Sequence, residues 1–433
     1  MKQTEIGLIP DDWEVIKFGD KVDIFRGGSP RPIERYITTN ANGINWIKIG
    51  DVRPNDKYIR QTEEKIILEG KSRSREVKKG DFILSNSMSF GRPYILNIDG
   101  CIHDGWLTIQ NYTECFDKEF LYYLLGSDEV FTQYVQMAAG SSVQNLNKEK
   151  VADLQLKVPP LPEQQRIAKA LSDVDALIST TEKLLQKKKN IKQGAMQNLL
   201  TGKKRLPGFG SQTNPPTYKQ TELGPIPEDW EVKSLGDIFS IKHGYGFEGQ
   251  FFSSENNQHI VVTPGNFKLE GGFQKQKQPI YYTGTYPDEF KLKPNDLIIM
   301  MTDLSKNSDT LGNPAIVPDD GNDYLHNQRI GLIQIHNDSF VKDYIYLLLC
   351  TKEYHEAVVS TAAGSTVKHT SPNRIYSINL VVSTSKEEQT AIANVLSSMD
   401  KEIETLNAKL EKYRNLKTAM MQQLLTGKIR LVK

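Results

Sequence analysis

Residues 9–15 read Ile-Pro-Asp-Asp-Trp-Glu-Val, and residues 226–232 repeat them as Ile-Pro-Glu-Asp-Trp-Glu-Val. Two further segments recur in the same order. Ala-Ala-Gly-Ser-Ser-Val at 138–143 returns as Ala-Ala-Gly-Ser-Thr-Val at 362–367, and Leu-Leu-Thr-Gly-Lys-Lys-Arg-Leu at 199–206 returns as Leu-Leu-Thr-Gly-Lys-Ile-Arg-Leu at 424–431. Between these segments the two halves differ. An internal repeat determines the architecture, so we predict one duplicated frame that holds two different inserts and presents two binding surfaces of unlike specificity.

The composition is that of an ordinary soluble protein. Of the 433 residues, 38% are apolar and 25% are charged, and the length suffices for two or three domains. The sequence has no run of about 18 apolar residues and no signal-peptide pattern, so we expect a cytoplasmic protein. Cys101, Cys115 and Cys350 form no Cys-x-x-Cys pair and are predicted to be reduced core thiols. The net charge of +1 argues against a nonspecific polycation.

Each half ends in a long predicted helix, at 159–206 and 383–433. Apolar positions alternate there in steps of four and three, which is the pattern of a coiled-coil seam. The first seam consists of Ile167, Leu171, Val174, Ile178, Leu185 and Leu199, with Thr181, Lys188 and Lys192 at weaker positions and Leu177, Leu184 and Ile191 widening the stripe. The second consists of Ile392, Leu396, Met399, Ile403, Leu406, Leu410, Tyr413 and Leu424. At 1.5 Å per residue each helix should be about 55 Å long.

The ends of these helices carry local signals. Pro162 suits a first helical turn, and Ser385 with Glu388 predicts a capping box. Gly202 and Gly427 are the residues expected to take a left-handed conformation after each helix. The alternative to a coiled coil is two separate amphipathic helices, each lying on its own domain.

Chain geometry favours an antiparallel helix pair. A parallel pair would place both mixed segments, 1–158 and 223–382, at the same end, whereas an antiparallel pair needs only a short polar linker at 207–222. The predicted fold is therefore α+β. Two globular α/β domains are separated by a long antiparallel two-helix coiled coil, and a pseudo-two-fold axis relates the repeats.

Within the mixed segments, strands are predicted at 46–51 and 259–265, each ending in a tight turn, and at 82–84 and 297–299 after turns. Residues 120–125 and 344–349 are predicted to form buried helices.

Motifs for chemistry are missing from the sequence. There is no His-Glu-x-x-His and no phosphate-binding loop. Asn-Pro-Pro-Thr at 214–217 is similar to a tetrapeptide of amino-methyltransferases, but it follows no strand and lacks a glycine-rich turn upstream. We therefore predict a non-catalytic binding protein without a metal or cofactor of its own.

Polar loops in both halves are candidate DNA contacts, because hydroxyl, amide and cationic groups suit phosphate oxygens and base edges. In the first half they are Arg26, Ser29, Arg31, Lys48, Ser85, Ser87, Ser89, Arg92, Ser141, Ser142, Gln144 and Asn145. In the second half they are Lys242, His243, Tyr245, Thr302, Lys306, Asn307, Ser365, Thr366, Lys368 and His369. For each loop the alternative is an ordinary polar turn.

Taken together, the repeated motifs resemble a known family over essentially the whole chain. The Ile-Pro-x-x-Trp-Glu-Val motif, the Ala-Ala-Gly-Ser loop, Pro-Leu-Pro-Glu-Gln-Gln-Arg-Ile-Ala at 160–168 and Leu-Leu-Thr-Gly-Lys at 199–203 resemble the specificity subunit of type I restriction–modification systems. The second copy departs from this pattern at 386–393, where the proline and the arginine are missing.

The resemblance implies a function and a set of partners. Each mixed segment would be a target recognition domain that reads one half of a bipartite sequence in double-stranded DNA. The two helices would act as a ruler and bind modification (methyltransferase) subunits, two of them, and through these the restriction (endonuclease) subunits. S-adenosylmethionine would belong to the modification subunit, and ATP and Mg²⁺ to the restriction subunit.

Two other functions are open on the sequence alone. One is a scaffold without DNA affinity, whose helix pair recruits a protein partner. The other is a stand-alone enzyme, which would show turnover or nucleotide binding by the purified chain.

Overall fold

The computed structural model describes residues 1–53, 56–86, 90–138, 146–210, 217–303, 305, 308–364 and 367–432. The chain divides into two compact units. Unit 1 comprises Met1–Lys183 and Asn407–Lys433, and unit 2 comprises Leu184–Leu406. Both units combine helices and sheets, which confirms the predicted α+β class. No helix in the described part of the chain is long and apolar enough to span a membrane.

The first half of the chain forms short strands and helices and ends in one long helix. The strands are β1 (Lys2–Thr4), β2 (Gly7–Ile9), β3 (Glu14–Lys17), β4 (Asp23–Arg26), β5 (Ile37–Thr38), β6 (Ile44–Ile47), β7 (Tyr58–Ile59), β8 (Glu64–Ile66), β9 (Arg75–Val77), β10 (Phe82–Ser85), β11 (Pro93–Leu96), β12 (Gly100–Ile102), β13 (Trp106–Gln110) and β14 (Gln155–Val158). The helices are α1 (Leu68–Lys71), α2 (Lys118–Leu125), α3 (Asp128–Ala138), α4 (Lys148–Ala152) and the long α5 (Leu161–Leu199).

A similar series of elements follows in the second half. Its strands are β15 (Tyr218–Thr221), β16 (Gly224–Pro227), β17 (Trp230–Ser234), β18 (Phe239–His243), β19 (Phe252–Ser253), β20 (His259–Val261), β21 (Tyr281–Tyr282), β22 (Lys291–Leu292), β23 (Leu297–Met300), β24 (Thr302–Asp303), β25 (Pro314–Ile316), β26 (Asp323–Leu325), β27 (Ile330–Ile335), β28 (Lys368–His369) and β29 (Asn379–Ser383). Its helices are α6 (Leu235–Ile238), α7 (Lys342–Leu349), α8 (Lys352–Ser360), α9 (Pro372–Tyr376) and the long α10 (Lys386–Leu424).

Unit 1 contains two five-stranded sheets, with strand orders β4-β13-β10-β11-β7 and β5-β8-β6-β12-β9. The central strand β10 is buried at every residue, because both of its faces are covered. It pairs antiparallel with β13, and Ser85 lies opposite Trp106. In the second sheet β12 runs parallel to β6. The carboxyl ends of β6 and β12 therefore lie at the same edge of this sheet, and the loops that follow the two strands can contact each other there.

Unit 2 repeats this plan with different strands at the edges. Its main sheets have the orders β18-β27-β23-β25 and β19-β21-β20-β26-β22. Strand β23 is buried throughout, like β10, and pairs with β27. Strand β26 runs parallel to β20, as β12 does to β6. The strands predicted at 46–51 and 259–265 are shorter than expected: only 46–47 and 259–261 lie in strands, β6 and β20, and each segment continues into a short 3-10 turn. The strands predicted at 82–84 and 297–299 and the buried helices predicted at 120–125 and 344–349 are confirmed as β10, β23, α2 and α7.

Segments of both long helices pack together inside each unit, and they run antiparallel. The ion pairs in unit 1 join Asp175 to Lys417 and Glu182 to Arg414, both at 2.7 Å. The ion pairs in unit 2 join Lys188 to Glu402 and Lys192 to Asp400. As the residue number rises on α5, that of its partner on α10 falls. The alternative of two separate amphipathic helices is therefore wrong.

The seam positions are buried or half-buried, as a coiled coil requires. They are Ile167, Leu171, Val174, Ile178, Leu185 and Leu199 on α5, and Ile392, Leu396, Met399, Ile403, Leu406, Leu410, Tyr413 and Leu424 on α10. The weak seam positions Lys188 and Lys192 are explained by their carboxylate partners on α10. Leu177, Leu184 and Ile191 are 46%, 40% and 46% exposed. The prediction that they widen the buried apolar stripe of α5 is therefore wrong.

Each unit has a core to which both long helices contribute. In unit 1, Ile167 and Leu171 of α5 and Leu424 of α10 join the cluster around Trp13. In unit 2, Leu199 of α5 and Ile392 of α10 join the cluster around Trp230. Cys101 is buried, Cys115 and Cys350 are half-buried, and all three are free thiols.

The glycines after the two long helices have matching conformations. Gly202 and Gly427 both have φ of +71°, as expected for left-handed residues that end a helix. A Cβ atom at Gly202 would lie 2.6 Å from Cγ of Pro227, and one at Gly427 would lie 2.7 Å from Cδ of Pro10. The repeated glycine therefore lets the end of each helix approach the repeated Ile-Pro motif.

We predict that Gly202→Ala and Gly427→Ala each lower the free energy of unfolding by about 1–2 kcal/mol, because alanine is strained at positive φ. Urea unfolding measures the change. Gly194→Ala is the matched control, since this glycine lies inside α5 and its Cβ would meet nothing within 4 Å. The control should stabilise the protein by about 0.5–1 kcal/mol. Equal effects at all three positions would contradict the structural role of the two end glycines.

Candidate functional site

A buried carboxylate joins three distant segments of unit 1. Glu163, in the first turn of α5, is 1% exposed. Nε1 of Trp13 donates to it at 3.0 Å, and Nε and Nη2 of Arg430 donate at 2.8 and 2.7 Å. Arg430 also reaches Asp12 at 2.7 Å. Burial alone would raise the pKa of Glu163, but the hydrogen bonds from Arg430 and Trp13 hold it below its usual value.

Unit 2 contains the same cluster. Glu388 is fully buried in the first turn of α10 and accepts from Nε1 of Trp230 at 2.9 Å. Arg205 donates to Glu388 through Nε and, at 2.7 Å, through Nη2, and it makes two further bonds to Asp229 at 2.8 Å. We call each set of Trp, Asp, Glu and Arg residues a clasp. Both clasps consist of residues from the repeated segments, so they belong to the frame.

The clasp also explains a departure from the predicted capping box. Oγ of Ser385 accepts from the backbone N–H of Glu388 at 3.2 Å, as predicted. The carboxylate of Glu388 does not return to the backbone of Ser385, because it is bound by Arg205, Trp230 and Ser383. The box is therefore half formed.

In unit 1, the first candidate loop gathers around Asp104. Oγ of Ser29 donates to Oδ1 of Asp104 at 2.9 Å, and Arg31 lies 3.5 Å from Oδ2. Nε of Arg26 donates to the backbone carbonyl of Asp104 at 3.3 Å. The approach is close because Gly27 has no side chain: a Cβ there would lie 2.1 Å from the carbonyl oxygen of His103. Three residues predicted from sequence are thus brought together.

The end of β10 contacts the same loop around Asp104. The backbone N–H of Asn86 donates to Gly105 at 3.0 Å, and Nδ2 of Asn86 donates to the carbonyl of Asp104 at 3.1 Å. Leu146, just beyond the Ala-Ala-Gly-Ser segment, donates to the carbonyl of Asn86 at 2.9 Å. Ser85 and Arg92 close this loop, since Oγ of Ser85 accepts from the N–H of Arg92 at 3.0 Å. The turn at 26–31, the end of β10 and the chain at Leu146 therefore meet around the loop at 103–105.

Unit 2 assembles the corresponding loops. Tyr245 donates its N–H to the carbonyl of His326 at 2.7 Å, and Met301 donates to Arg329 at 2.9 Å. Strand β24 pairs with β28, and Oγ1 of Thr302 lies 3.0 Å from Nδ1 of His369. Here too the turn after the first strand, the end of the central strand and the Ala-Ala-Gly-Ser region meet.

Other residues that were predicted to contact DNA have partners within their own unit. Lys48 forms an ion pair with Glu64 at 2.9 Å. Lys242 forms one with Glu289 at 2.7 Å and lies over the Phe290 ring. His243 is exposed, and Lys368 is half-buried in β28. The predicted residues Ser87, Ser89, Ser141, Ser142, Gln144, Asn145, Lys306, Asn307, Ser365 and Thr366 lie outside the described residues.

Sequence reasoning missed the loop at the centre of each surface. These loops begin with His103-Asp104 after β12 and His326-Asn327 after β26. A histidine followed by Asp or Asn after a strand recurs in both halves, and this signal was available. His326 is fully buried, and burial lowers its pKa to about 4, so its imidazole is neutral at pH 7. Its Nε2 donates to the carbonyl of Ile330 at 2.9 Å.

The two surfaces have the same construction and different chemistry. Unit 1 presents the arginines Arg26 and Arg31 around a carboxylate. Unit 2 presents an exposed histidine and an exposed arginine, His369 and Arg329, and the backbone N–H of Arg329 donates to the amide oxygen of Asn327. Guanidinium, imidazole, amide and carboxylate groups can all pair with phosphates or base edges. Among the described residues no group of three or more His, Cys, Asp or Glu side chains could hold a metal ion.

Comparison with known proteins identifies relatives over the whole length. The family model described as type I restriction modification DNA specificity domain matches twice, at residues 10–193 and 227–412. The chain is 25% identical to the type I restriction enzyme MjaVIII specificity subunit of Methanocaldococcus jannaschii, across 98% of this chain and 94% of that protein. It is 27% identical to the putative MjaX specificity subunit of the same organism, across 99% and 96%.

Solved structures share the fold. A chain from a study of complex assembly and conformational transition of the type I R-M system has a TM-score of 0.56 at 16% identity, covering 98% of this chain and 100% of that one. The type I restriction-modification S subunit of M. genitalium has a TM-score of 0.56 at 13% identity, covering 98% of both chains.

Proposed function

The chain belongs to the family of type I restriction–modification specificity subunits, and from this membership we propose that residues 1–158 and 223–382 each read one half of a bipartite DNA sequence. The observation that carries the proposal is the pair of loop surfaces described above. Both are assembled from the same three loop regions, while their side chains differ. Because the two surfaces are built in the same way, we expect both to bind the same ligand, duplex DNA. Because their side chains differ, we expect them to read different half-sites.

The repeated frame would bind the same kind of partner in both units. The clasps and the long helices are built from repeated residues, so methyltransferase subunits would meet two similar docking surfaces. Restriction subunits would join through them. The helix pair would act as a ruler that sets the spacer between the half-sites.

The chain itself would be non-catalytic. S-adenosylmethionine would be held by the modification subunit, and ATP with Mg²⁺ by the restriction subunit.

Replacing residues 223–382 with the corresponding domain of another specificity subunit tests the division of labour. We expect the recognised sequence to change in one half only, because unit 1 keeps its own loop surface. Mapping of methylated bases in cells that carry the hybrid system measures this. The matched control is the reciprocal exchange of residues 1–158, which should change the other half.

Two outcomes would contradict the proposal. A change in both halves after a single exchange would contradict modular reading. DNA affinity of the assembled complex that shows neither sequence preference nor salt dependence would instead support the protein-binding scaffold.

A further inference from the structure

Asp104 occupies an unusual position for an acidic residue, since it lies at the centre of the proposed DNA-reading surface of unit 1. Its side chain is 28% exposed. Arg26, Arg31, Ser29, His103 and Asn86 all contact it. A carboxylate on a surface that faces a polyanion is repelled unless it meets a hydrogen-bond donor. Its presence there therefore restricts what it can contact.

Duplex DNA offers few such donors. Phosphate oxygens only accept hydrogen bonds. In the major groove the donors are the exocyclic amino groups of cytosine N4 and adenine N6. An aspartate can accept from these groups and discriminates against guanine O6 and thymine O4, which only accept.

The hydrogen bonds around Asp104 leave one oxygen available. Oδ1 accepts from Ser29 at 2.9 Å and faces Nε2 of His103 at 3.0 Å. Nδ1 of His103 accepts from the N–H of Gly105, so Nε2 carries the proton that is shared with Asp104. Oδ2 has only Arg31, at 3.5 Å, among the described residues. The side chain of Arg31 is 81% exposed and can move to a phosphate.

The carboxylate is also held in place and ionised. Arg26 and Asn86 both donate to its backbone carbonyl, which fixes the loop. Although burial would raise its pKa, the Ser29 hydrogen bond and the nearby positive charges hold it below its usual value. A fixed, charged acceptor is suited to base readout.

The equivalent residue of unit 2 is not available in this way. Asn327 follows His326 as Asp104 follows His103. Its Oδ1 accepts from the backbone N–H of Arg329 at 3.0 Å, so the amide oxygen is used inside its own turn. Of the two equivalent residues, only Asp104 of unit 1 therefore has a side-chain oxygen available to accept a hydrogen bond from DNA.

We propose that Asp104 is a specificity-determining residue that accepts a hydrogen bond from the exocyclic amino group of one cytosine or adenine in the major groove. This rests on the proposed function and deepens it. It predicts that unit 1 requires C or A at one position of its half-site.

The test uses the full chain assembled with the modification subunit of its own system. A pool of duplexes with randomised half-sites first identifies the wild-type sequence. Single bases of that sequence are then replaced by analogues without the amino group, purine for adenine and 2-pyrimidinone for cytosine. At one position in one half-site, we expect this deletion to weaken wild-type binding by about 5- to 100-fold.

The same deletion should change the binding of Asp104→Ala by less than about two-fold, because alanine has no acceptor and the contact is already lost. Asp104→Asn should also tolerate guanine or thymine at this one position, since an amide can donate to guanine O6 or thymine O4 as well as accept. Asp99→Asn is the matched control. Asp99 is an exposed aspartate of unit 1 that is held by Lys79, so this control should keep the wild-type preference and the wild-type penalty.

The outcomes separate the two proposals. A bipartite preference that Asp104→Ala leaves unchanged, or a loss of affinity that is equal for all sequences, would overturn the role of Asp104 and leave the proposed function intact. If the wild-type complex selects no sequence, both the proposed function and the role of Asp104 are refuted. Should Asp104→Ala fail to fold, the wild-type analogue scan still decides: a half-site of unit 1 at which no amino-group deletion weakens binding would refute the contact.

Discussion

Glu388→Ala is expected to lower the free energy of unfolding by about 3–5 kcal/mol, because it removes the buried partner of an ion pair and leaves Arg205 with only the exposed carboxylate of Asp229. Arg205 has a side chain that is only 14% exposed and would lose its main carboxylate. Nε1 of Trp230 and Oγ of Ser383 would lose their acceptor as well. Urea unfolding measures the loss, and hydrogen exchange of backbone amides locates it. The loss of protection should be confined to unit 2.

Two further variants make this expectation specific. Glu163→Ala should have an effect of similar size in unit 1, since Glu163 holds Arg430 and Trp13 in the same manner. Glu387→Ala is the matched control. It removes a carboxylate from the neighbouring exposed position of α10, and it should leave the free energy of unfolding close to that of the wild type. If Glu387→Ala and Glu388→Ala were equally destabilising, the clasp would not be a structural element.

Leu410→Asp should be comparably damaging, at about 3–5 kcal/mol, because it removes buried apolar surface and buries an unpaired charge in the helix pair. Leu410 is 5% exposed. The measurements are thermal unfolding and the helical signal in circular dichroism. Stability within about 1 kcal/mol of the wild type would argue against a packed seam at this position.

Ala408→Asp controls for the charge itself. Ala408 is exposed on the same turn of α10, so this variant introduces the same carboxylate without burying it. We expect a cost of under 1 kcal/mol, which is the loss of helix propensity. The difference between the two variants therefore reports burial at the seam.

These expectations concern the frame, which is the part that could be predicted most completely from the sequence. The steps of four and three along α5 and α10 depend on residues that are neighbours on one helix face, so the chain order alone reveals them. Even there, tertiary partners were needed to explain Lys188 and Lys192, which reach Glu402 and Asp400. They were also needed to separate the buried seam from the exposed Leu177, Leu184 and Ile191.

The clasps illustrate the limit of reasoning from local patterns. Arg430 and Trp13 were visible as repeated residues, but neither identifies Glu163 as the shared partner. Arg430 and Glu163 are 267 positions apart, and they meet because both long helices contribute to one unit. Periodicity carries no information about such a pair, since it reports only on residues that are close in the chain.

The sequence by itself determined the duplication, the two long helices, the glycines that end them and the chemical types of the loop side chains. Only the tertiary structure decided that Arg26, Ser29, Arg31 and Asn86 converge on Asp104, and that Tyr245 meets His326 while Thr302 meets His369. The physical reason is that helix formation and helix ends depend on neighbours three or four residues away. A binding surface, in contrast, depends on which strand ends the sheet places side by side.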